Sequence, residues 1–142
     1  MANKIISYQS LNTDLAALLL RLIFGGLFFY HGYQKVIHYD EYLTYFTDII
    51  GIGIKLSYNL LIFAELVCGF LVAIGFLTRL TVIPIFIAMA VAYFIGHGKD
   101  AFQIKELAFL FLLLSIVIFV LGSGRFSMDR LLFKNKYQTS TF

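Results

Sequence analysis

The chain has little of the charge that a soluble protein carries on its surface. Only 13% of its 142 residues are charged, 61% are hydrophobic, and the mean hydropathy is +0.88. This composition excludes the ordinary soluble globular class and is typical of a polytopic membrane protein. Tryptophan is absent, so an aromatic belt at the membrane surface would have to be built from the nine tyrosines.

Cysteine and proline each occur once. Cys68 lies inside an apolar run without a second cysteine, which excludes an intrachain disulfide, a thiolate metal cluster and a CxxC dithiol relay. Pro84 is the only proline, so the sequence does not indicate the paired broken helices that many transporters use to bind their substrates.

Four apolar stretches are each long enough to cross a bilayer core of about 30 Å as a helix. They cover about residues 15–33, 57–77, 80–96 and 105–121. The first contains an arginine and lacks a small-residue cleavage site, so we expect a retained span and not a cleaved signal peptide. The sequence therefore predicts an all-α membrane protein, a bundle of four transmembrane helices in a single domain over residues 1–142.

The longest connection, residues 34–56, mixes large apolar residues with acidic ones. Their spacing predicts a short amphipathic helix from about Tyr39 to Ile50, with a merely solvated loop as the alternative. Four spans place both termini on one side, which has a small majority of the basic residues, including Arg125, Arg130 and Lys134. We therefore expect both termini to be cytoplasmic and the long connection to be outside.

Five ionisable residues lie in or at the edges of the apolar stretches: Arg21, His31, Glu65, His97 and Glu106. Placing a charged side chain at membrane depth costs roughly several kcal/mol of free energy, so each of these residues needs a partner, a water-filled cavity or a function. Helix geometry separates Arg21 and Glu65 by under ~10 Å along the membrane normal, which predicts an Arg21–Glu65 pair, direct or through water. The other three lie at outer helix ends, and the simplest arrangement is one polar cluster in the outer half of the bundle.

Each of these residues also has a purely structural interpretation. Arg21 and Glu65 would then only clamp two helices together, and the two histidines would only face interfacial water. Glu106 would be favoured by the helix dipole wherever an acid occupies a first turn.

Three segments carry a resemblance to a known family. Residues 21–35 (RLIFGGLFFYHGYQK), 64–79 (AELVCGFLVAIGFLTR) and 122–129 (GSGRFSMD) resemble the opening, second-helix and closing signatures of the DoxX family of small bacterial membrane proteins. His97-Gly98 and Lys105-Glu106 fall where that family also places polar residues. The chain departs from the pattern at Met128, where leucine is usual, and in its polar tail after Leu131.

The resemblance implies a four-helix protein of the bacterial inner membrane that is associated with redox chemistry, such as a subunit of a thiosulfate:quinone oxidoreductase. A quinone site needs hydrogen-bond donors, a proton path and apolar walls. Arg21, His31 and His97 are the expected donors to the quinone oxygens, and Glu65 and Glu106 the expected proton relays. The expected walls are aromatic, namely Phe24, Phe28, Phe29, Tyr93 and Phe94.

The chain has no visible electron carrier, so we expect a partner oxidoreductase or the substrate to supply the electrons. A homo-oligomer is compatible with the sequence, and no nucleic-acid partner is expected. One alternative is a non-catalytic scaffold, binding protein or small-solute carrier. More remote alternatives are a b-type haem held by His31 and His97 and a zinc or copper ion at the histidines and glutamates.

Overall fold

The computed structural model describes residues 12–137, which form helices and turns without any strand. Four helices are long and apolar enough to cross a membrane, as predicted, and we number these spans one to four. Their bounds are Thr13–Ile37, Ile54–Ile74, Thr78–Gly96 and Phe102–Leu121. Spans one and three begin, and spans two and four end, at what we call the terminal end of the bundle. The opposite end, near residues 37, 54, 96 and 102, is the loop end.

Two further helices complete the described chain. A loop helix, Tyr39–Tyr45, follows span one, and a last helix, Met128–Tyr137, follows span four. The loop helix is shorter than the predicted Tyr39–Ile50, because Asp48 accepts hydrogen bonds from the backbone N–H groups of Gly51 and Gly53 and forms a turn instead. The last helix was not predicted from the polar sequence of this segment.

Spans one and two are held together by glycines. A Cβ added at Gly25 would overlap backbone atoms of Gly69 and Ala73, and one added at Gly32 would overlap the backbone of Leu66. Because lipid supplies no hydrophobic force between helices, such close backbone approach is the main source of association. Gly25 and Gly69 therefore serve the packing of these two spans, whereas a Cβ at Gly26 would meet no atom within 4 Å.

The centre of the bundle is aromatic and aliphatic. The rings of Phe24 and Phe28 from span one lie 5.8 and 4.9 Å from the ring of Phe111 in span four. Val72 in span two and Ile85 in span three are both fully buried within the same cluster. The core thus joins all four spans at mid-depth.

A pair of glycine substitutions tests the contact between spans one and two. Gly25→Ala should lower the free energy of unfolding by about 1–3 kcal/mol, because the added methyl group forces two backbones apart. Gly26→Ala is the matched control and should be neutral or stabilising by up to about 1 kcal/mol, because alanine favours the helix. Thermal unfolding in detergent measures both, and equal behaviour of the two variants would contradict the close contact.

Candidate functional site

Glu65 lies in a widened turn of span two. Residues Phe63–Cys68 form a π-helical turn within this span, and Glu65 is only 5% exposed. Such a turn accommodates one extra residue and recurs at functional sites. Of the two predicted acidic site residues, Glu65 lies in such a turn, and Glu106 lies in a regular α-helix.

The partner of Glu65 is Lys35, near the end of span one. The Lys35 ammonium donates a hydrogen bond to Glu65 Oε2 at 2.6 Å, and the side chains are 22% and 6% exposed. Opposite charges in direct contact lower the cost of placing a carboxylate in a membrane span. We call this arrangement the Lys35–Glu65 pair.

Aromatic and polar side chains pack beside the pair at the loop end. The hydroxyl of Tyr58, a residue only 1% exposed, donates to the backbone oxygen of Lys35 at 3.3 Å. The Tyr58 ring lies 5.3 Å from the ring of Tyr39 and 5.1 Å from that of Phe46. Tyr39 also donates to Asn59 Oδ1 at 2.9 Å. The loop helix is thereby fastened to the start of span two.

Asp48 organises the rest of the long connection. Its carboxylate accepts hydrogen bonds from Gly51 N–H at 3.0 Å, Gly53 N–H at 2.7 Å and the Ser57 hydroxyl at 2.9 Å. The N–H of Gly53 is the largest influence that holds the pKa of Asp48 below its ordinary value, since a donor stabilises the charged form. Gly51 and Gly53 both have positive φ angles, of 75° and 103°, which glycine adopts without strain.

His31 is the predicted site residue nearest to the pair along span one. It precedes Lys35 by four residues, so the two side chains emerge from the same face of the helix. His31 is exposed, and its ring lies 5.9 Å from that of Tyr30. The imidazole therefore lies on the outside of the bundle, one helical turn from Lys35.

Three other predicted residues lie at the loop end of spans three and four. His97 Nδ1 is 2.7 Å from Asp100 Oδ2, and both side chains are largely exposed. Glu106 is exposed on span four. The ring of Tyr93 lies 5.2 Å from that of Phe109 and 5.0 Å from the Lys105 ammonium. Nothing in residues 12–137 joins these residues to Glu65 by a hydrogen bond or an ion pair.

The predicted Arg21–Glu65 pair is wrong, and so is the single outer cluster that depended on it. The Arg21 guanidinium extends toward the terminal end, where it donates to the backbone oxygen of Phe126 at 2.5 Å. Gly75 makes room for it, since a Cβ there would overlap Arg21 Nη1. The depth calculation placed the arginine correctly along span one, but it left open the direction of a long side chain that can reach either end.

The predicted aromatic walls do not form one surface either. Phe24 and Phe28 are 1% and 2% exposed because they fill the core against Phe111. Phe29 and Phe94 are 41% and 66% exposed on the outside of the helices. An apolar cleft of about 310 Å³ between spans three and four is lined by none of the predicted site residues.

Lys35 is the residue that the sequence prediction missed. It is not among the predicted site residues, although it follows His31 by one helical turn and lies on the same face as Phe28 and Arg21. That spacing was the available signal. Among residues 12–137, no three His, Cys, Asp or Glu side chains lie close enough together to hold a metal ion.

Loss of the lysine tests the strength of the Lys35–Glu65 pair. Lys35→Met should destabilise the protein by roughly 3 kcal/mol, because it leaves a buried carboxylate without its counter-charge. The double variant Lys35→Met/Glu65→Gln should recover part of that loss in thermal unfolding. Lys55→Met, which removes an exposed lysine at the same end, is the control. A double variant less stable than Lys35→Met alone would contradict the pairing.

The Asp48 turn predicts a dependence of stability on pH. The folded state depresses the pKa of Asp48. The ionised carboxylate therefore contributes fully to the free energy of unfolding above its pKa in the unfolded chain, which is about 4. That contribution disappears as the pH falls through the lower pKa of the folded state. The thermal midpoint of Asp48→Asn should therefore fall less steeply under acid than that of the unaltered chain. Asp40→Asn, on the exposed loop helix, should keep the original slope. An unchanged slope in Asp48→Asn would show that the carboxylate does not stabilise the turn.

Comparison with known proteins agrees with the family resemblance of the first two signatures. The family model DoxX matches residues 16–98, more than half of the chain. The match includes all but the first three residues of span one and the whole of spans two and three, and therefore the Lys35–Glu65 pair. In the same comparisons the chain matches no curated protein and no solved structure. With four membrane-spanning helices and a family match that covers the two residues of the buried pair, the chain belongs to the DoxX family.

Proposed function

We propose that this protein binds a quinone, or another lipophilic redox molecule, at the loop end of spans one and two and acts with a partner oxidoreductase. The single observation that carries the proposal is the contact of Lys35 with Glu65, an acid buried in a π-helical turn. A charge pair at this depth fits a site of proton exchange, since ionisable groups inside membranes commonly mark such sites.

The residues around the pair suit the polar end of such a ligand. Lys35 supplies N–H donors. Glu65 accepts a hydrogen bond from Lys35 through Oε2 at 2.6 Å, and it has a second carboxylate oxygen as well. His31 stands one helical turn away on the outside of the bundle. This set differs from the predicted one, because Arg21 lies at the terminal end and Lys35 takes its place as the donor.

When bound, a quinone supplies the chemistry of accepting two electrons and two protons. Glu65 would hold or release a proton at its carboxylate, with Lys35 stabilising the charged form by contact. His31 would exchange protons with water at the membrane surface. Tyr58 would keep the backbone of Lys35 in place through its hydroxyl. The electrons would come from a soluble or membrane partner.

Mass spectrometry of molecules retained by the detergent-purified full-length protein tests this proposal. We expect a quinone in the extract and a rise in thermal midpoint when a short-chain quinone is added. Glu65→Gln and His31→Ala should each weaken quinone binding by about tenfold or more, since a hydrogen bond to a charged group contributes about 1.5–3 kcal/mol.

Glu41→Gln, which neutralises an exposed acid on the loop helix, should bind quinone like the unaltered chain. His31→Ala changes an exposed side chain and so keeps the test valid if Glu65→Gln is unstable. The proposal fails if no quinone is retained and no added quinone gives a shift that these two variants remove. A non-catalytic scaffold would then be the better description.

A further inference from the structure

A large groove lies at the terminal end, far from the Lys35–Glu65 pair. Its volume is about 1090 Å³, and it lies between the start of span three, the end of span four and the last helix. Six charged residues line it: Asp14, Arg79, Arg125, Asp129, Arg130 and Lys134. We call it the terminal groove.

The two acidic residues of the groove are already engaged by the protein. Asp14 accepts a hydrogen bond from the backbone N–H of Arg125 at 2.9 Å and lies 3.4 Å from its guanidinium. Asp129 accepts from the backbone N–H groups of Leu77 and Thr78 at 2.7 and 3.4 Å. The groove thus contains four basic side chains and two carboxylates, and both carboxylates already accept hydrogen bonds from the protein. It therefore has an excess of positive charge.

Two basic residues of the last helix line the terminal groove. Arg130 and Lys134 are four residues apart in Met128–Tyr137, so they project from the same face. Both line the groove and both are exposed. Arg79 uses its Nε to donate to the backbone oxygen of Phe119 at 3.1 Å, which fixes it at the end of span four.

A buried polar group without a partner also lines the groove. Thr78 is 1% exposed, and its hydroxyl oxygen has no hydrogen-bond partner within the described residues. Buried hydroxyl groups are nearly always paired in native structures, so an unpaired one calls for an explanation.

Part of the remaining wall of the groove is made of exposed apolar side chains. Leu80 is 62% exposed and Leu121 is 42% exposed, and both line the groove at the end of a membrane span. Leu131 and Leu132 on the last helix are 76% and 57% exposed, as expected for a helix that lies in the membrane surface. Exposed apolar side chains and positively charged side chains therefore meet at this groove.

We propose that the terminal groove binds the phosphate headgroup of an acidic phospholipid, with Arg130 and Lys134 as its principal cationic contacts. Charge complementarity supports this occupant, because basic pockets beside transmembrane helices bind anionic headgroups. The apolar walls suit the acyl chains of the same molecule. The inference does not depend on the proposed redox function, which concerns the opposite end of the bundle.

Native mass spectrometry of the full chain tests the proposal, with the protein exchanged into mixtures of phosphatidylglycerol and phosphatidylcholine. We expect preferential retention of phosphatidylglycerol, and a higher thermal midpoint in phosphatidylglycerol vesicles than in phosphatidylcholine vesicles. Arg130→Gln/Lys134→Gln should reduce that retention on the order of tenfold, since each basic residue near an anionic lipid contributes measurably to binding. Lys55→Gln/Lys99→Gln, which removes two exposed lysines at the loop end, should retain the lipid.

Three results would overturn the proposal. One is equal retention of both lipids by the unaltered chain, which needs no variant to be stable. Another is equal loss of the lipid in both double variants, which would indicate a general effect of charge. A third is a thermal shift produced as strongly by inorganic phosphate as by phosphatidylglycerol, which would indicate a site for a free anion and not for a lipid.

Discussion

Close contact between spans one and two is the constraint on which the rest of the structure depends. Gly25, Gly32 and Gly69 let the two backbones approach along much of their length. In a membrane this contact cannot be replaced by hydrophobic burial, because the lipid is as apolar as the helices. Once the two spans are in register, the two cations of span one, Arg21 and Lys35, lie at fixed places. Lys35 then meets Glu65 at the loop end, and Arg21 meets the segment after span four at the terminal end.

The two ends of the bundle accommodate charge in different ways. At the loop end a lysine donates a hydrogen bond to a carboxylate that lies in a π-helical turn. At the terminal end Arg21 uses a backbone oxygen, and Gly75, with a φ of 74°, provides the turn that accommodates the guanidinium. Leu77 has a positive φ of 46° in the same turn, and Asp129 accepts its N–H. An arginine fixed in this way suits assembly, and the lysine–carboxylate pair suits proton exchange.

The sequence predicted the elements of this fold well and their long-range partners poorly. The four spans were predicted within a few residues because apolar length is a local property. The helix predicted over residues 39–50 was too long. Asp48 accepts hydrogen bonds from backbone N–H groups that follow it, and the periodicity of apolar residues does not reveal such bonds. The last helix was missed because its sequence is polar. The partners of Arg21 and Glu65 depend on the direction of long side chains, which depth along the helix axis cannot determine, so Phe126 and Lys35 were not foreseen.

The hydrogen bond from Arg21 to Phe126 joins residues separated by 105 positions in the chain. During synthesis, the guanidinium of span one therefore enters the membrane long before its acceptor exists. Until residue 126 emerges, that charge must be hydrated at the membrane surface or held by lipid phosphate, because an unpaired cation at depth is costly. Completion of the chain therefore supplies one hydrogen-bond acceptor, the backbone oxygen of Phe126, to a guanidinium that entered the membrane with the first helix.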